Sequence, residues 1–197
     1  MIAVSTEEQE SKFIIRQKTA MPLLWLGIVS IVMVFASLTS AVIVSKGSRE
    51  WYSFEMPMTF TYSTIIIALS SLTYWFAYRA AKKDQLSALK NNVLITFVLG
   101  LLFALFQFIS WNQMVDQGIY FAGASSTISG SYLYILSGLH LAHMLGGLIS
   151  LAVVYVKAGR SVYNSKNLLG LQLSSTYWHF LGGLWVYLYI FLNFIAL

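Results

Sequence analysis

The chain has 197 residues, of which 58% are hydrophobic, 16% are aromatic and only 10% are charged. A soluble domain of this size carries roughly 25% charged residues, so the composition excludes an ordinary globular protein in water. The absence of cysteine excludes disulfides, thiolate metal sites and the covalent attachment of a c-type haem. The basic residues behind the net charge of +5 lie between long apolar runs, and they give no indication of a nucleic-acid partner.

Five long runs carry no charged residue and lie at positions 19–45, 56–78, 91–115, 117–156 and 167–197. An α-helix needs about 20 apolar residues to cross a hydrocarbon core about 30 Å thick. Each run can hold one such helix, and Gly, Ser and Thr dominate the start of the fourth run, which therefore cannot hold two. We predict an all-α integral membrane protein with five transmembrane helices in one antiparallel bundle. The predicted spans cover about residues 22–45, 56–78, 91–115, 131–156 and 168–196, within one domain of residues 19–197.

The basic residues are strongly biased to one side of these spans, which predicts the orientation of the chain. Residues 1–18 form a polar tail that we expect to be retained in the cytosol, because it lacks the basic start and short apolar core of a cleaved signal. The N-terminus is then cytoplasmic and the C-terminus lies outside. Ten basic residues fall on the cytoplasmic side and two on the other, namely Lys12, Arg16, Lys18, Arg79, Lys82, Lys83, Lys90, Lys157, Arg160 and Lys166 against Lys46 and Arg49.

Taken in chain order, the first helix is expected to start near Pro22 and the second directly after Pro57. The longest external segment covers residues 116–130 and leads through a stretch rich in Gly and Ser at 123–131. Two interpretations of this stretch stay open, a partner-binding loop and an ordinary flexible connector.

Histidine is the only residue type with a titratable side chain near neutral pH inside the predicted spans, at His140, His143 and His179. His140 and His143 are three residues apart and share one helical face. Imidazoles on one face can bind a metal or a haem, but buried histidines that pack against neighbouring helices are the favoured interpretation. We therefore assign no catalytic, cofactor-binding or metal-binding residue. The lack of carboxylates in the spans also disfavours a small ion-coupled transporter.

Two motifs in the last two helices resemble a known family. Residues 177–185 read Tyr-Trp-His-Phe-Leu-Gly-Gly-Leu-Trp, and they are similar to the pattern Trp-His-Phe-Val-Asp-x-x-Trp of subunit III of the haem-copper respiratory oxidases. Residues 136–147 contain Gly138, His140 and His143 and are similar to the same family's Thr-Gly-x-His-x-x-His-Val-x-x-Gly pattern. The order of the matched helices resembles the five-helix bacterial form.

Weaker matches extend the resemblance over nearly the whole chain. They add to the stronger motif that contains Trp178 and His179, and they comprise Gln107 and Trp111 in the third helix, residues 25–41 of the first, and Ser63, Thr64, Ser70, Ser71 and Thr73 in the second. The chain departs from the family pattern at three positions where the family carries carboxylates, and these hold Ile31, Ser110 and Gly182. The resemblance therefore does not extend to a proton-antenna role or a reactive buried acid at those positions.

The resemblance implies a non-catalytic subunit of the bacterial inner membrane. Haems and copper are then expected on partner subunits, with subunit I as the main contact, subunit II nearby and other respiratory subunits as further partners. Phospholipids are the expected ligands, and the expected role is to support oxygen access, proton uptake and sustained turnover. Two alternatives stay open, a subunit III of a quinol oxidase or a partner of a nitric oxide reductase, and a b-type cytochrome anchor that uses the histidines as ligands.

Overall fold

The computed structural model describes residues 2–49, 51–123, 126–160, 163 and 168–196, with side chains between residues 18 and 194 of these ranges. Throughout these ranges the regular structure is helical, apart from a single bridge between Tyr120 and Ser126. The helices are α1 (Ile2–Ser45), α2 (Met58–Lys82), α3 (Leu86–Asp116), α4 (Ile128–Gly159) and α5 (Leu169–Ile190), and a π-helix (Phe191–Ala196) continues α5. The predicted all-α fold is confirmed.

Four of these helices are long and apolar enough to cross a membrane, namely α1 from Lys18 to Ser45, α2, α3 and α4. The chain is therefore a multi-pass membrane protein. Helix α5 is not among the four, although its 22 residues extend about 33 Å at 1.5 Å per residue. Its lower hydropathy comes from polar residues such as Gln172, Ser174 and His179.

The start of α1 differs from the prediction. The helix begins at Ile2 and Pro22 lies inside it, so the expected start near Pro22 is wrong. The segment before the proline contains Glu, Gln and Lys, which are good helix formers. A proline removes one backbone N–H and disturbs the preceding turn, but these helix formers allow the helix to continue on both sides of it.

Helices α2, α3 and α4 extend beyond the uncharged runs and place charged residues at their C-terminal ends. Helix α2 reaches Lys82, α3 ends at Asp116 and α4 includes Lys157 in its last turn. Near the end of α2 the Arg79 guanidinium lies over the Trp75 ring at 3.9 Å from its centroid. Cations stacked on aromatic rings are suited to a membrane boundary.

The bundle is built around the pair α2 and α3, which pack together most extensively. Helix α4 packs on α3, α5 packs on both α2 and α4, and α1 contacts α4 and α5. Hydroxyl hydrogen bonds join the helices in pairs. They link Thr73 to Thr96 (2.8 Å), Thr61 to Tyr189 (2.9 Å), Ser150 to Ser174 (2.7 Å), Ser45 to Tyr132 (3.1 Å) and Tyr187 to Thr39 (3.3 Å).

The segment between α3 and α4 is hydrogen-bonded to the bundle where it is described. Thr127 caps α4 by accepting a hydrogen bond from the Gly130 N–H, and the Ser129 hydroxyl donates to the Tyr52 carbonyl. The Tyr134 hydroxyl donates to the Ile119 carbonyl at 3.0 Å. Residues 124 and 125 of the Gly/Ser stretch lie outside the described residues. Within the rest of the stretch, Ser129 is bonded to the connection between α1 and α2, and the Ser131 hydroxyl donates to the Phe121 carbonyl.

Candidate functional site

The histidine of α4 that shares its face with His143 is fully buried. His140 has 0% exposure, and its ring lies 5.0 Å from that of Trp185, 5.9 Å from that of Phe103 and 6.4 Å from that of Phe35. Neither ring nitrogen has a hydrogen-bond partner in the described part of the chain. His140 therefore lies in an aromatic enclosure formed by three other helices.

The other two histidines lie nearer the surface of the bundle. The Nδ1 atom of His143 lies 2.8 Å from the Leu139 carbonyl oxygen. Because a carbonyl can only accept, this bond requires the proton on Nδ1. The His143 ring lies 5.8 Å from that of Phe35. His179 is half-buried and its ring lies 6.2 Å from that of Tyr74. It lines an open groove of about 340 Å³ with Ser71 and Trp75. The three histidines thus have three different environments.

Five side chains from four helices form what we call the polar layer: Ser63, Thr64, Gln107, His140 and Trp185. The Gln107 amide donates to the Ser63 hydroxyl at 3.1 Å, and the Trp185 indole N–H donates to the Thr64 hydroxyl at 3.0 Å. The Gln107 side-chain oxygen is buried without a partner among the described residues. Gln107, predicted from the third-helix match, is therefore a buried member of the layer.

Trp178 occupies a tight slot between α3 and α4. Its indole N–H donates to the Ser70 hydroxyl at 3.1 Å, and both residues are buried. A Cβ built on Gly100 would lie 2.6 Å from Trp178 Cη2, and one built on Gly147 would lie 3.1 Å from Trp178 Cε3. Two glycines therefore make the space for this ring, and Ser70 fixes its orientation.

The remaining motif residues also serve packing. The Trp111 indole N–H donates to the Ser137 hydroxyl at 3.0 Å, and Gly138 lies where an added Cβ would be 4.0 Å from the Trp111 ring. Ser71 lies against Gly182, where an added Cβ would be 3.0 Å from the Ser71 hydroxyl oxygen. The structure thus pairs Gly138 with Trp111 and Ser71 with Gly182.

The three positions that lack the family carboxylates have separate environments. Ile31 of α1 is half-buried against the core of the bundle, and Gly182 is buried on α5. Ser110 is fully buried and donates to Thr59 at 2.7 Å, while Thr59 donates to the Gln113 side-chain oxygen at 2.9 Å. At Ser110 a hydroxyl network therefore joins α2 to α3.

Four residues of these clusters were not singled out from the sequence, namely Gly100, Phe103, Phe35 and Thr59. Phe103 lies one helical turn before Gln107 and Gly100 lies one turn before Phe103, so the three residues share one face of α3. Helical spacing from Gln107 would have indicated the first two. Nothing in the sequence identifies which glycine faces Trp178.

The described residues contain no group of three or more His, Asp or Glu side chains that could hold a metal ion. The clusters around His140 and Trp178 can pack helices and donate or accept hydrogen bonds. Their chemistry is that of a structural core.

Comparison with known proteins bears on the same helices. A family model described as cytochrome c oxidase subunit III matches residues 13–196, which includes all five helices and both motif segments. The chain belongs to the cytochrome c oxidase subunit III family. The resemblance identified from the two motifs is confirmed.

Relatives within the subunit III family come from bacteria and animals. The chain is 28% identical over 170 residues to cytochrome c oxidase subunit 3 of Corynebacterium diphtheriae, a match covering 83% of this chain and 82% of the relative. It is 32% identical over 147 residues to the protein of the same name from Rhipicephalus sanguineus, covering 75% and 54%. It is also 32% identical over 126 residues to that of Alkalihalophilus pseudofirmus, covering 64% and 60%. The chain thus spans about half of the Rhipicephalus subunit III and most of the Corynebacterium one.

Proposed function

We propose that the chain is the non-catalytic subunit III of a haem-copper terminal oxidase in a bacterial inner membrane. It packs against subunit I, contacts subunit II, and binds phospholipids. It supports oxygen access, proton uptake and sustained turnover of the catalytic subunit. The observation that carries this proposal is the family match over residues 13–196, together with motif residues that are used in packing.

In this proposal all five helices cross the membrane as one antiparallel bundle, with the N-terminus in the cytoplasm. Contacts between α2 and α3 support the antiparallel arrangement, because Thr59 pairs with Ser110, Ser63 with Gln107 and Thr73 with Thr96. Positions therefore rise on one helix as they fall on the other. The polar residues of α5 do not prevent it from crossing, since Ser174, Ser175 and Trp178 are buried against other helices.

The exposed surface supports a role beside lipids and another membrane subunit. Helix α1 presents large apolar side chains outward, including Leu23, Leu26 and Met33 at 64%, 65% and 65% exposure. Its small residues Ala36, Ser37 and Ser40 are exposed as well, and small residues let a neighbouring helix approach closely. We propose that this face of α1 takes part in the contact with subunit I.

The packing of the histidines disfavours the alternative of a b-type cytochrome. An iron bound to His140 would need a porphyrin where the rings of Phe35, Phe103 and Trp185 now lie. The haems and copper are therefore placed on the partner subunits in this proposal. Without carboxylates at Ile31, Ser110 and Gly182, support of proton uptake is indirect and acts through subunit I.

Purification of the tagged chain in mild detergent tests this function. We expect haem-copper subunits I and II to co-purify, and the visible spectrum to stay with them when this chain is stripped away. The stripped oxidase should start at a normal rate and lose activity over fewer turnovers than the intact complex. A chain that purifies alone and shows a haem α-band, or a stripped oxidase of unchanged lifetime, would contradict the proposal. A preparation with quinol-oxidising subunits would instead place it in a quinol oxidase.

A further inference from the structure

Three buried polar atoms of the polar layer lack a hydrogen-bond partner within the described ranges: Gln107 Oε1 and both ring nitrogens of His140. Both residues have 0% exposure. A buried polar atom without a partner loses its hydrogen bonds to water and gains nothing in exchange. Such atoms in a native core call for a partner that the protein itself does not supply.

Contacts between α3 and α4 put these atoms at the same level of the bundle. Phe103, one turn before Gln107, lies against the His140 ring at 5.9 Å. Trp111, one turn after Gln107, bonds to Ser137, which is three residues before His140. Gln107 therefore lies opposite the turn that carries His140.

The hydroxyl and indole donors in and beside the layer are already used, so none of them can supply Gln107 Oε1 or His140. The Ser63 and Thr64 hydroxyls both donate to the Phe60 carbonyl at 2.8 Å, and the Ser137 hydroxyl donates to the Leu133 carbonyl at 2.7 Å. The Trp185 indole N–H donates to Thr64. A neutral imidazole carries one acceptor nitrogen, and Gln107 Oε1 is a second acceptor. Aromatic faces can accept an N–H but cannot donate.

We propose that the polar layer is a binding site for one or two internal water molecules that bridge Gln107 Oε1 to the His140 imidazole. A water molecule donates twice, which matches the two acceptors without donors, Gln107 Oε1 and the unprotonated imidazole nitrogen. The imidazole N–H points to the other side of the ring, where a second water molecule can accept it. A metal ion fits less well, because two neutral ligands inside an aromatic enclosure provide too few donors and no countercharge.

Radiolytic hydroxyl-radical footprinting in ¹⁸O-labelled water tests the site on the full chain, in whatever complex it purifies with. Radicals form from bound water within the bundle and oxidise the side chains beside it. Trp185 and Trp178 make a matched pair, since both are 1% exposed, lie on α5 and donate to a hydroxyl of α2. We expect ¹⁸O to be incorporated at Trp185 and Phe103 severalfold more than at Trp178. Equal protection of the three side chains would overturn the proposal.

A double-variant cycle with Gln107→Met and His140→Leu gives a second test, which distinguishes a polar layer that holds bridging water from one that holds none. With a bridging water, either change leaves the other residue without part of its hydrogen bonding through that water, so each single variant should melt at a lower temperature. The double variant should then lose less than the sum of the two shifts. Without a bridging water nothing couples the two residues, so the two shifts should simply add, and additive shifts would overturn the proposal. Gln107→Met also removes the hydrogen bond to Ser63, but this loss occurs in the single and the double variant alike and cancels in the cycle. If neither variant folds, footprinting of the unmodified chain still decides.

Discussion

At the scale of single residues, the two buried tryptophans of α5 depend on what the facing helices leave open. Trp178 fits because Gly100 and Gly147 carry no side chain, and Ser70 accepts its N–H. Trp185 reaches Thr64 and packs on Phe60 and Phe103. By contrast, Trp25 and Trp75 are 55% and 41% exposed, as expected of side chains in contact with the membrane interface.

The first prediction concerns the slot for Trp178. A Gly100→Ala variant should be destabilised by about 1–3 kcal/mol through overpacking, because its Cβ would lie 2.6 Å from Trp178 Cη2 and 2.9 Å from Leu148 Cδ2. Thermal unfolding in detergent measures this change. Gly27→Ala is the matched control, since nothing lies within 4 Å of its added Cβ, and it should unfold at or above the original temperature. Equal melting of both variants would contradict the slot.

The second prediction compares adjacent serines of α2. Ser70→Ala leaves the buried Trp178 N–H without an acceptor, which should cost about 1–3 kcal/mol of stability. Ser71 is half-buried beside Gly182 and faces the open groove, so Ser71→Ala should change the unfolding temperature little. The pair can be measured by loss of helical circular dichroism on heating. An unfolding temperature of Ser70→Ala no lower than that of Ser71→Ala would mean that the bond of Ser70 to Trp178 contributes nothing.

At the scale of elements, hydroxyl groups at helix ends decide how the connections lie. The α3–α4 connection is held by Tyr134, Ser129 and Ser131, whose hydroxyls all donate to backbone carbonyls. The short connection between α2 and α3 instead turns at Asp84, whose φ is 55°, a left-handed conformation that only some residue types adopt readily. Local side chains thus shape both turns.

The third prediction concerns the anchoring of the α3–α4 connection. Tyr134→Phe removes the hydrogen bonds to the carbonyls of Ile119 and Trp111. One net hydrogen bond is worth about 1 kcal/mol, so amide hydrogen exchange over residues 116–123 should speed up roughly fivefold. Tyr120→Phe serves as the control, because that side chain is 41% exposed and has no hydrogen bond among those described. Unchanged exchange in Tyr134→Phe would show that the connection is held by other contacts.

At the scale of the whole molecule, α5 is not recognised as a membrane span by its hydropathy, although it packs within the bundle. Helices α1 to α4 are apolar enough to be recognised singly. Helix α5 has buried polar residues because it packs against α1, α2 and α4. A helix enclosed by others can carry such residues, since its neighbours shield them from lipid.

The fourth prediction tests the five spans and their orientation together. The chain has no cysteine, so a single introduced cysteine is the only thiol of the chain that a membrane-impermeant maleimide can label. Ser48→Cys and Asn193→Cys should react in intact cells, whereas Lys83→Cys should react only in inverted vesicles, because the proposed orientation places residues 48 and 193 outside and residue 83 in the cytoplasm. All three positions are exposed. Labelling of Asn193→Cys from the same side as Lys83→Cys would mean that α5 does not cross.

The sequence alone determined the helical membrane class, four of the spanning helices and the family, because continuous apolar runs and ordered short motifs are local signals. It also identified Gln107, His140, Trp178 and Ser70 as residues to examine. It misjudged the start of α1, since a proline affects only its own turn and the residues before it favour a helix. Only the tertiary structure decided that Gly100 faces Trp178, that Ser110 joins α2 to α3, and that His140 is enclosed by aromatic rings. Those relations join residues distant in the chain, and their geometry is fixed by how whole helices pack.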